Sequence, residues 1–269
     1  MDSSRASYDA IVDRVNWSTL KTILRSPAHY KHGLTHPRPD SPAFALGRAV
    51  HAMVLEPLTF EERHATWEGG TRRGKAWEEF KTEYEGREIL TGAELSTATD
   101  IATAVMADPD AADLLKGTRT EQTITWTDSE TGIECKGRVD ALDEYCVIDL
   151  KTARNASPRE FGRASASLMY HAQLAFYLDG ARACGMAKAS TDAAMIAVES
   201  DAPHVVQVYI LTADHLNLGR DIYREMLKTL AVCRASNEWP GYALGAVDLA
   251  LPAWAMPSEE DLSGLDLEA

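Results

Sequence analysis

The segment over residues 137–152, GRVDALDEYCVIDLKT, constrains the fold more than any other stretch of the chain. Two apolar, strand-forming stretches flank a short polar turn, so the segment predicts a β-hairpin that brings Asp140 beside Asp149. Side chains alternate along a strand, which places Asp149 and Lys151 on the same side. A carboxylate and an ammonium in an apolar strand are costly unless they pair or bind a metal. The hairpin therefore predicts either a buried ion pair or a metal site.

A metal site would give these residue types a chemical role. Two carboxylates can hold a hard cation such as Mg²⁺ through oxygen, and the cation would activate water and neutralise phosphate oxygens. A lysine two residues beyond the second carboxylate can orient or deprotonate that water and stabilise the transition state. The triplet D-x-K is short and common, so alone it favours the plain ion pair. The order strand, Asp140, turn, strand, Asp149-x-Lys151 and helix favours phosphodiester hydrolysis.

The rest of the chain predicts an α/β fold with a central mixed sheet flanked by helices. Strands are predicted over residues 121–127, 133–142, 145–152, 193–198 and 205–211. Helices are predicted over residues 17–31, 43–55, 75–84, 91–106, 110–116, 158–184 and 213–234. Ser18 is the expected cap of the first helix, which Ser26-Pro27 either interrupts or continues as a second turn. Thr91 and Glu94 are expected to form a capping box, and residues 61–74 are expected to form a mobile loop. We expect one domain over residues 1–245, with a helical region over residues 1–118 and catalytic elements over residues 119–235, followed by an acidic tail within residues 246–269.

Two helices carry polar groups that suit the same site. His51 is, apart from Arg48, the only polar residue of AFALGRAVHAMVL. Such a histidine is more often a satisfied core residue, but an imidazole beside two carboxylates is a reasonable third ligand. Tyr170, Gln173 and Tyr177 fall at i, i+3 and i+7 of the helix that follows the hairpin. They form a stripe that either packs in the ordinary way or buttresses the lysine.

The net charge of −14 argues against a nucleic-acid-binding protein, which usually has a basic surface. Five acidic residues lie in the expected tail, and a metal site itself needs carboxylates, so binding could depend on local basic patches. Arg72, Arg73 and Lys75 offer one such patch, although a solvated charged loop is an equal alternative. Their segment, GGTRRGKA, approaches a Walker A loop, but Ala76 replaces the Mg²⁺-binding hydroxyl and disfavours an ATPase.

Four widely spaced cysteines form no CxxC pair, which disfavours a zinc ribbon and fits a reduced, cytoplasmic protein. No apolar run is long enough for a transmembrane helix, and the N-terminus lacks a secretory signal pattern. We therefore expect no membrane partner.

In its order of motifs the chain resembles the RecE-type exonucleases, also called exonuclease VIII, of the PD-(D/E)XK nuclease superfamily. The resemblance spans roughly residues 14–255 and is carried by segments spread along it. These are WSTLKTILRSPAHY, LGRAVHAMVLEP, EQTITW, TGIECKGRVD, VIDLKT, YHAQLAFY and WPGY. One departure is Val139, which stands before Asp140 where the superfamily motif has proline. The resemblance implies a restriction-endonuclease-like core.

The resemblance also implies roles for individual residues. The implied metal ligands are His51, Asp140, Asp149 and the carbonyl of Leu150. Lys151 would be the catalytic lysine, and Glu121 would lie near the metal, holding a second cation or a water. Gln173 and Tyr177 match the family's Q-xxx-Y helix, and Ser18 matches a position that holds substrate phosphate. The implied cofactor is Mg²⁺, with Mn²⁺ as a substitute.

The implied activity is digestion of linear double-stranded DNA from its ends, 5′ to 3′, in phage-type recombination or DNA end processing. A ring-shaped homo-oligomer and a single-strand annealing protein as partner follow from the same resemblance, as does a bacterial or phage-infected host cell. Two alternatives remain open. One is a RecB-like or CRISPR-associated nuclease, whose iron–sulfur cluster is not expected here because Cys233 stands alone near the C-terminus. The other is a DNA-binding member of the fold without catalysis.

Overall fold

The computed structural model describes residues 5–36, 39–243, 245–252 and 255. Its strands are β1 (His64–Trp67), β2 (Glu88–Thr91), β3 (Arg119–Thr127), β4 (Glu134–Leu142), β5 (Cys146–Ala153), β6 (Asp192–Glu199) and β7 (Val206–Ile210). Its helices begin with α1 (Arg5–Ala10), α2 (Trp17–Leu20), α3 (Pro27–Gly33), α4 (Pro42–Leu55), α5 (Phe60–Arg63) and α6 (Lys75–Glu83). They continue with α7 (Gly92–Ala107), α8 (Pro109–Leu115), α9 (Pro158–Leu168), α10 (Tyr170–Ala183) and α11 (Ala213–Ser236).

The central sheet has the strand order β3-β4-β5-β6-β7. Only β5 and β6 pair in parallel, and the crossover between them contains α9 and α10. The other neighbours are antiparallel. The predicted mixed α/β sheet is confirmed, and each of its five strands lies within a few residues of the predicted range.

Helices cover both faces of this sheet, because its central strands are apolar on both sides. On one face α10 and α11 pack over Val147 and Val139, with Phe176 of α10 fully buried. On the other face α4 and α7 pack over Ile148 and Leu150. Successive residues of β5 thus belong to different cores, as the period-two alternation of a strand requires.

Strands β4 and β5 pair only next to their turn, where Ala141 faces Ile148 and Leu142 faces Val147. Farther from the turn, β4 continues to pair with β3 on one side. On its other side, Val15 forms a bridge with Cys135. The two strands of the predicted hairpin therefore separate, and we call the opening between them the fork.

The prediction of one helix over residues 158–184 was wrong. Met169 has a φ of 60°, in the left-handed region, and ends α9 before α10 begins. A single left-handed residue cannot continue an α-helix. The break lets Tyr170 start a new helix in a different direction, over the end of β5.

Two predictions near the N-terminus were also wrong. Asn16, not Ser18, caps α2, because its side chain accepts from the backbone N–H of Thr19. The expected break at Ser26-Pro27 is confirmed, because Ser26 caps a separate α3 after a 3-10 segment. The segment 61–74 is not all loop, since it includes most of α5 and the strand β1, which pairs in parallel with β2.

Another local prediction was correct, because Thr91 and Glu94 form a capping box at the start of α7. The next helix, α8, is capped by Asp108. In the stretches of the chain that the structure describes, none of the helices is both long and apolar enough to cross a bilayer. Most of the predicted acidic tail, residues 256–269, lies outside the described residues.

Candidate active site

Asp149 and Lys151 form an ion pair on the α10 side of β5. Lys151 Nζ lies 2.5 Å from Oδ2 of Asp149, and both side chains are largely buried. Burial raises the pKa of Asp149, against the opposing charge of Lys151. Burial also disfavours the charged form of Lys151, but the carboxylates of Asp149 and Asp140 outweigh this effect, and the pKa of Lys151 is raised. The ammonium group therefore stays protonated at neutral pH.

Side chains of α10 hold this ion pair in place. Lys151 Nζ lies 4.9 Å from the ring centroid of Tyr170. Gln173 Nε2 donates to Oδ1 of Asp149 and to the hydroxyl oxygen of Tyr177, both at 3.3 Å. The structure thus brings together the three residues of the predicted stripe, in the arrangement that buttresses the lysine and its carboxylate.

A glycine in β4 makes room for this helix. A Cβ at Gly137 would lie only 3.0 Å from two ring carbons of Tyr177 and 3.3 Å from Ile124. An alanine here would push the ring away from β4, because the interior is packed without free space. Burial raises the pKa of Tyr177 well above its usual range, so the hydroxyl keeps its proton.

At the fork, the backbone N–H and carbonyl of Leu150 lack the β4 partners that a continuous β-ladder would give them. Asp140 Oδ2 accepts a hydrogen bond from the N–H of Leu150 at 2.8 Å. His51 Nε2 lies 2.7 Å from the carbonyl oxygen of Leu150. The carbonyl can only accept, so Nε2 carries the hydrogen of this bond. Side chains from β4 and α4 therefore replace the missing strand partner.

His51, Glu121 and Asp140 each place a potential ligand atom within 4.8 Å of the other two. Nδ1 of His51 lies 3.6 Å from Oδ2 of Asp140. The Leu150 carbonyl keeps a second lone pair. Two carboxylates, an imidazole and a carbonyl fit a divalent cation such as Mg²⁺ or Mn²⁺.

Asp149 does not belong to this trio of side chains in the described structure. Its carboxylate forms an ion pair with Lys151 and accepts a hydrogen bond from Gln173. The negative charge of Asp140 is close enough to raise the pKa of Asp149 further. Two carboxylates near one position repel each other when both are ionised, and a cation between them would relieve that repulsion. The sequence-predicted set of His51, Asp140, Asp149 and Leu150 therefore meets around the fork.

Glu121 is buried beside the fork and strained in its backbone. Its φ of 51° is left-handed, and the β3–β4 register skips it. Burial, and next the charge of Asp140, raise the pKa of Glu121 to about 8, although the nearby Arg138 opposes the shift. Nε of Arg138 lies 2.8 Å from Oε2 of Glu121.

Arg138 and Glu56 are site neighbours that the sequence reasoning missed. Arg138 is only 9 % exposed, and its guanidinium also reaches Oε2 of Glu56 at 3.2 Å. Arg63 pairs with the same carboxylate. The signal for Arg138 was present, because it stands two residues before Asp140 in an apolar strand. Nothing local indicates Glu56, which lies 82 positions from its partner.

Within the described residues, no hydrogen bond or ion pair joins the remaining predicted substrate-binding residues to the groups at the fork. Ser18 is exposed, and its hydroxyl donates to the side-chain oxygen of Asn16 at 2.8 Å. Arg72 donates to the carbonyl of Ile89 at 3.0 Å and pairs with Glu94.

Lys75 pairs with Glu79 at 3.4 Å, and Arg73 is exposed. In the described residues, these basic side chains of the segment between β1 and α6 make no contact with the groups at the fork. That segment does follow a strand, contrary to expectation, yet Ala76 still provides no hydroxyl.

The family described as a "PDDEXK-like domain of unknown function (DUF3799)" matches residues 16–249 of the chain. No curated protein sequence matches the chain. Among solved structures, the chain is similar to a "Putative exonuclease" from Eubacterium rectale, with 15% identity and a TM-score of 0.62. That alignment covers 98% of each chain. A second structure, of the protein SSO0001, has 16% identity, covers 70% of this chain and 85% of that one, and has a TM-score of only 0.30. The similarity to the first structure therefore shows a shared fold over nearly the whole chain.

Proposed function

Because the chain belongs to the PDDEXK-like domain family DUF3799, and so to the PD-(D/E)XK superfamily, we propose that it is a metal-dependent nuclease that hydrolyses phosphodiester bonds of DNA. One observation carries the proposal. The fork places the Lys151–Asp149 pair next to the potential ligand atoms of His51, Glu121 and Asp140. A structural ion pair alone would need none of these three neighbours.

The metal would be held by Asp140, Asp149, the imidazole of His51 and the carbonyl of Leu150, with Glu121 beside them. Once bound, a hard divalent cation supplies an activated water and neutralises phosphate oxygens. Oxygen ligands favour Mg²⁺, and the imidazole makes Mn²⁺ a natural substitute.

Of the two roles that the sequence left open for Lys151, we propose electrostatic stabilisation rather than proton abstraction. In the metal-free protein, the charges of Asp149 and Asp140 raise the pKa of Lys151, and the ion pair with Asp149 holds the ammonium in place. Preorganised charge in a water-poor site is worth far more than in solution. Gln173 fixes Asp149 and thereby the orientation of Lys151. The charge can then act on the negative charge that develops on the phosphate.

For the substrate we propose linear double-stranded DNA, digested from its ends in the 5′ to 3′ direction in the cytoplasm. This finer proposal rests on the resemblance to RecE-type exonucleases and on the full-length likeness to a structure described as an exonuclease. A ring-shaped homo-oligomer, a single-strand annealing partner and a role in phage recombination belong to the same proposal. The complete set of Asp140, Asp149 and Lys151 disfavours a DNA-binding protein without catalysis.

The test is time-resolved digestion of duplex DNA labelled at the 5′ or the 3′ end, with linear and circular forms compared in Mg²⁺, Mn²⁺ and EDTA. We expect cleavage of linear DNA only, and only with metal. Lys151→Ala and Asp149→Asn should each lower the rate by at least about a hundredfold. Lys116→Ala, which changes an exposed lysine elsewhere, serves as the matched control.

Cleavage of circular DNA would replace the exonuclease proposal by an endonuclease. If folded Lys151→Ala protein kept near-normal activity, the assignment of the site would fail. Intact DNA binding without any cleavage by the native protein would favour the non-catalytic alternative.

A further inference from the structure

The basic residues of the chain are unevenly distributed. Residues 14–39, RVNWSTLKTILRSPAHYKHGLTHPRP, contain five Lys and Arg residues, three His residues, and no Asp or Glu. The remaining chain holds all 41 Asp and Glu residues and 22 of the 27 Lys and Arg residues. In a protein with a net charge of −14, an acid-free run of this length concentrates positive charge. We call it the acid-free segment.

The acid-free segment starts at the fork. The N–H of Val15 donates to the carbonyl of Glu134 at 2.9 Å, and the carbonyl of Val15 accepts from Lys136 at 2.8 Å. This attachment point is five residues, or about 17 Å, along β4 from Asp140. The ring of Trp17 packs 6.0 Å from that of Phe176, the neighbour of Tyr177 in the sequence. The segment is therefore fixed to the same strand and helix that build the candidate active site.

Farther along the acid-free segment, Arg25 and Lys31 present their charges to solvent beside aromatic rings. Arg25 is exposed and donates from Nε to the hydroxyl of Tyr242 at 2.9 Å. Lys31 is exposed, with Nζ 5.0 Å from the ring centroid of Trp239. No ion pair joins either side chain to a carboxylate within the described ranges of the chain. Both positive charges thus remain available to an anion from solvent.

Aromatic side chains accompany these charges. Tyr242 is 75 % exposed, and its ring lies 5.5 Å from that of His29. The backbone N–H of Ala28 donates to the carbonyl of Pro240 at 3.0 Å, which holds the 239–242 turn against α3. Basic side chains interleaved with exposed rings are the composition that binds nucleic-acid strands, through phosphates and through base stacking.

We infer that the face formed by Arg25 and Lys31 of the acid-free segment, together with the neighbouring Tyr242, is the surface that holds the nucleic-acid backbone leading to the fork. The inference rests on the proposed nuclease function and adds the surface that binds its substrate. It also accounts for how so acidic a protein binds DNA. The electrostatic attraction is concentrated on one segment, while the metal site and the rest of the surface stay acidic.

The test measures binding of fluorescein-labelled 20-nucleotide DNA, single-stranded or duplex, to the full chain in EDTA over a range of salt concentrations. The charge-reversal variant Arg25→Glu/Lys31→Glu is compared with Lys116→Glu/Lys188→Glu, which makes the same change of charge at two exposed lysines outside the acid-free segment. Each phosphate contact contributes about 0.9 to the salt slope for duplex and about 0.7 for single strands. We expect the first variant to bind at least about tenfold more weakly, with a slope smaller by about 1 to 2, and the second to bind like the native protein.

Arg25→Gln/Lys31→Gln repeats the measurement with a milder change, and circular dichroism verifies the fold of every variant. A selective loss for single strands assigns the surface to the unpaired strand, and a selective loss for duplex assigns it to the uncut DNA. Equal weakening in both charge-reversal variants, an unchanged slope, or no DNA binding by the native protein overturns the inference. If the native protein cleaves DNA but the Arg25/Lys31 variant keeps the native salt slope, only the proposed binding surface is refuted. If the variant changes the salt slope but the native protein does not cleave DNA, only the proposed nuclease function is refuted.

Discussion

The ionisation of Glu121 should control how the metal-free protein responds to pH. The folded pKa of about 8 lies above the reference value of 4.5, so the folded state holds this proton more tightly than the unfolded state. The stabilisation is complete below pH 4.5 and is lost as pH rises through 8. At about 1.4 kcal/mol per pKa unit, the difference between 4.5 and about 8 corresponds to a loss of about 5 kcal/mol of unfolding free energy.

The perturbation is Glu121→Gln, which keeps the shape of the side chain but removes its titration. Relative to the native protein, the variant should gain up to about 5 kcal/mol of unfolding free energy between pH 4.5 and pH 8. For a chain of this size, that is a shift in Tm of about 10 °C. The pH dependence, not the absolute stability, is the quantity to compare, because the substitution also alters the contact between Arg138 and residue 121.

The assay is urea denaturation in EDTA across this pH range, followed by circular dichroism. Glu225→Gln, at an exposed position of α11, is the control and should leave the pH dependence unchanged. Parallel curves for the native protein and Glu121→Gln would refute the reasoning. Excess Mn²⁺ should flatten the native curve, because a metal ligand must be deprotonated and binding would release the proton.

Three further predictions concern the surroundings of the site. Arg138→Met should lower the free energy of unfolding by about 3 kcal/mol in urea titrations above pH 8, where it leaves the ionised, buried Glu121 without its partner. A stable Arg138→Met protein would contradict this. Gln173→Ala should reduce kcat by about tenfold at saturating metal with little change in stability, since Asp149 loses the donor that orients it. An unchanged kcat would show that the contact is incidental. Phe176→Ala should cost about 4 kcal/mol by calorimetry, because the ring is fully buried, and a cost below about 1 kcal/mol would show that the core collapses into the gap.

Local patterns were sufficient for much of this protein. Alternation along β5 correctly placed Asp149 and Lys151 on one side, and spacing along α10 placed Gln173 and Tyr177 together. Both predictions depend only on the geometry of a single strand or helix, which the neighbouring residues determine. The capping box at Thr91 succeeded for the same reason.

Predictions failed where the local signal was weak or the backbone unusual. Strands β1 and β2 have four residues each and stabilise each other, so neither shows a clear alternation of its own. The left-handed conformation of Met169 has no signature in a residue type that seldom adopts it. Such features depend on contacts that the sequence does not bring next to each other.

The Asp140 and Asp149-x-Lys151 hairpin, and with it the kind of chemistry that the chain could support, was determined by the sequence alone. The fork was not, because it exists only where Val15, 120 positions before Cys135 in the chain, takes the place beside β4 that β5 leaves. That separation turns the Leu150 backbone toward Asp140 and His51. Tertiary structure likewise decided that Arg138 joins Glu121 to Glu56. A pattern of residues fixes which side chains share a face, but only the packing of distant segments fixes which faces meet.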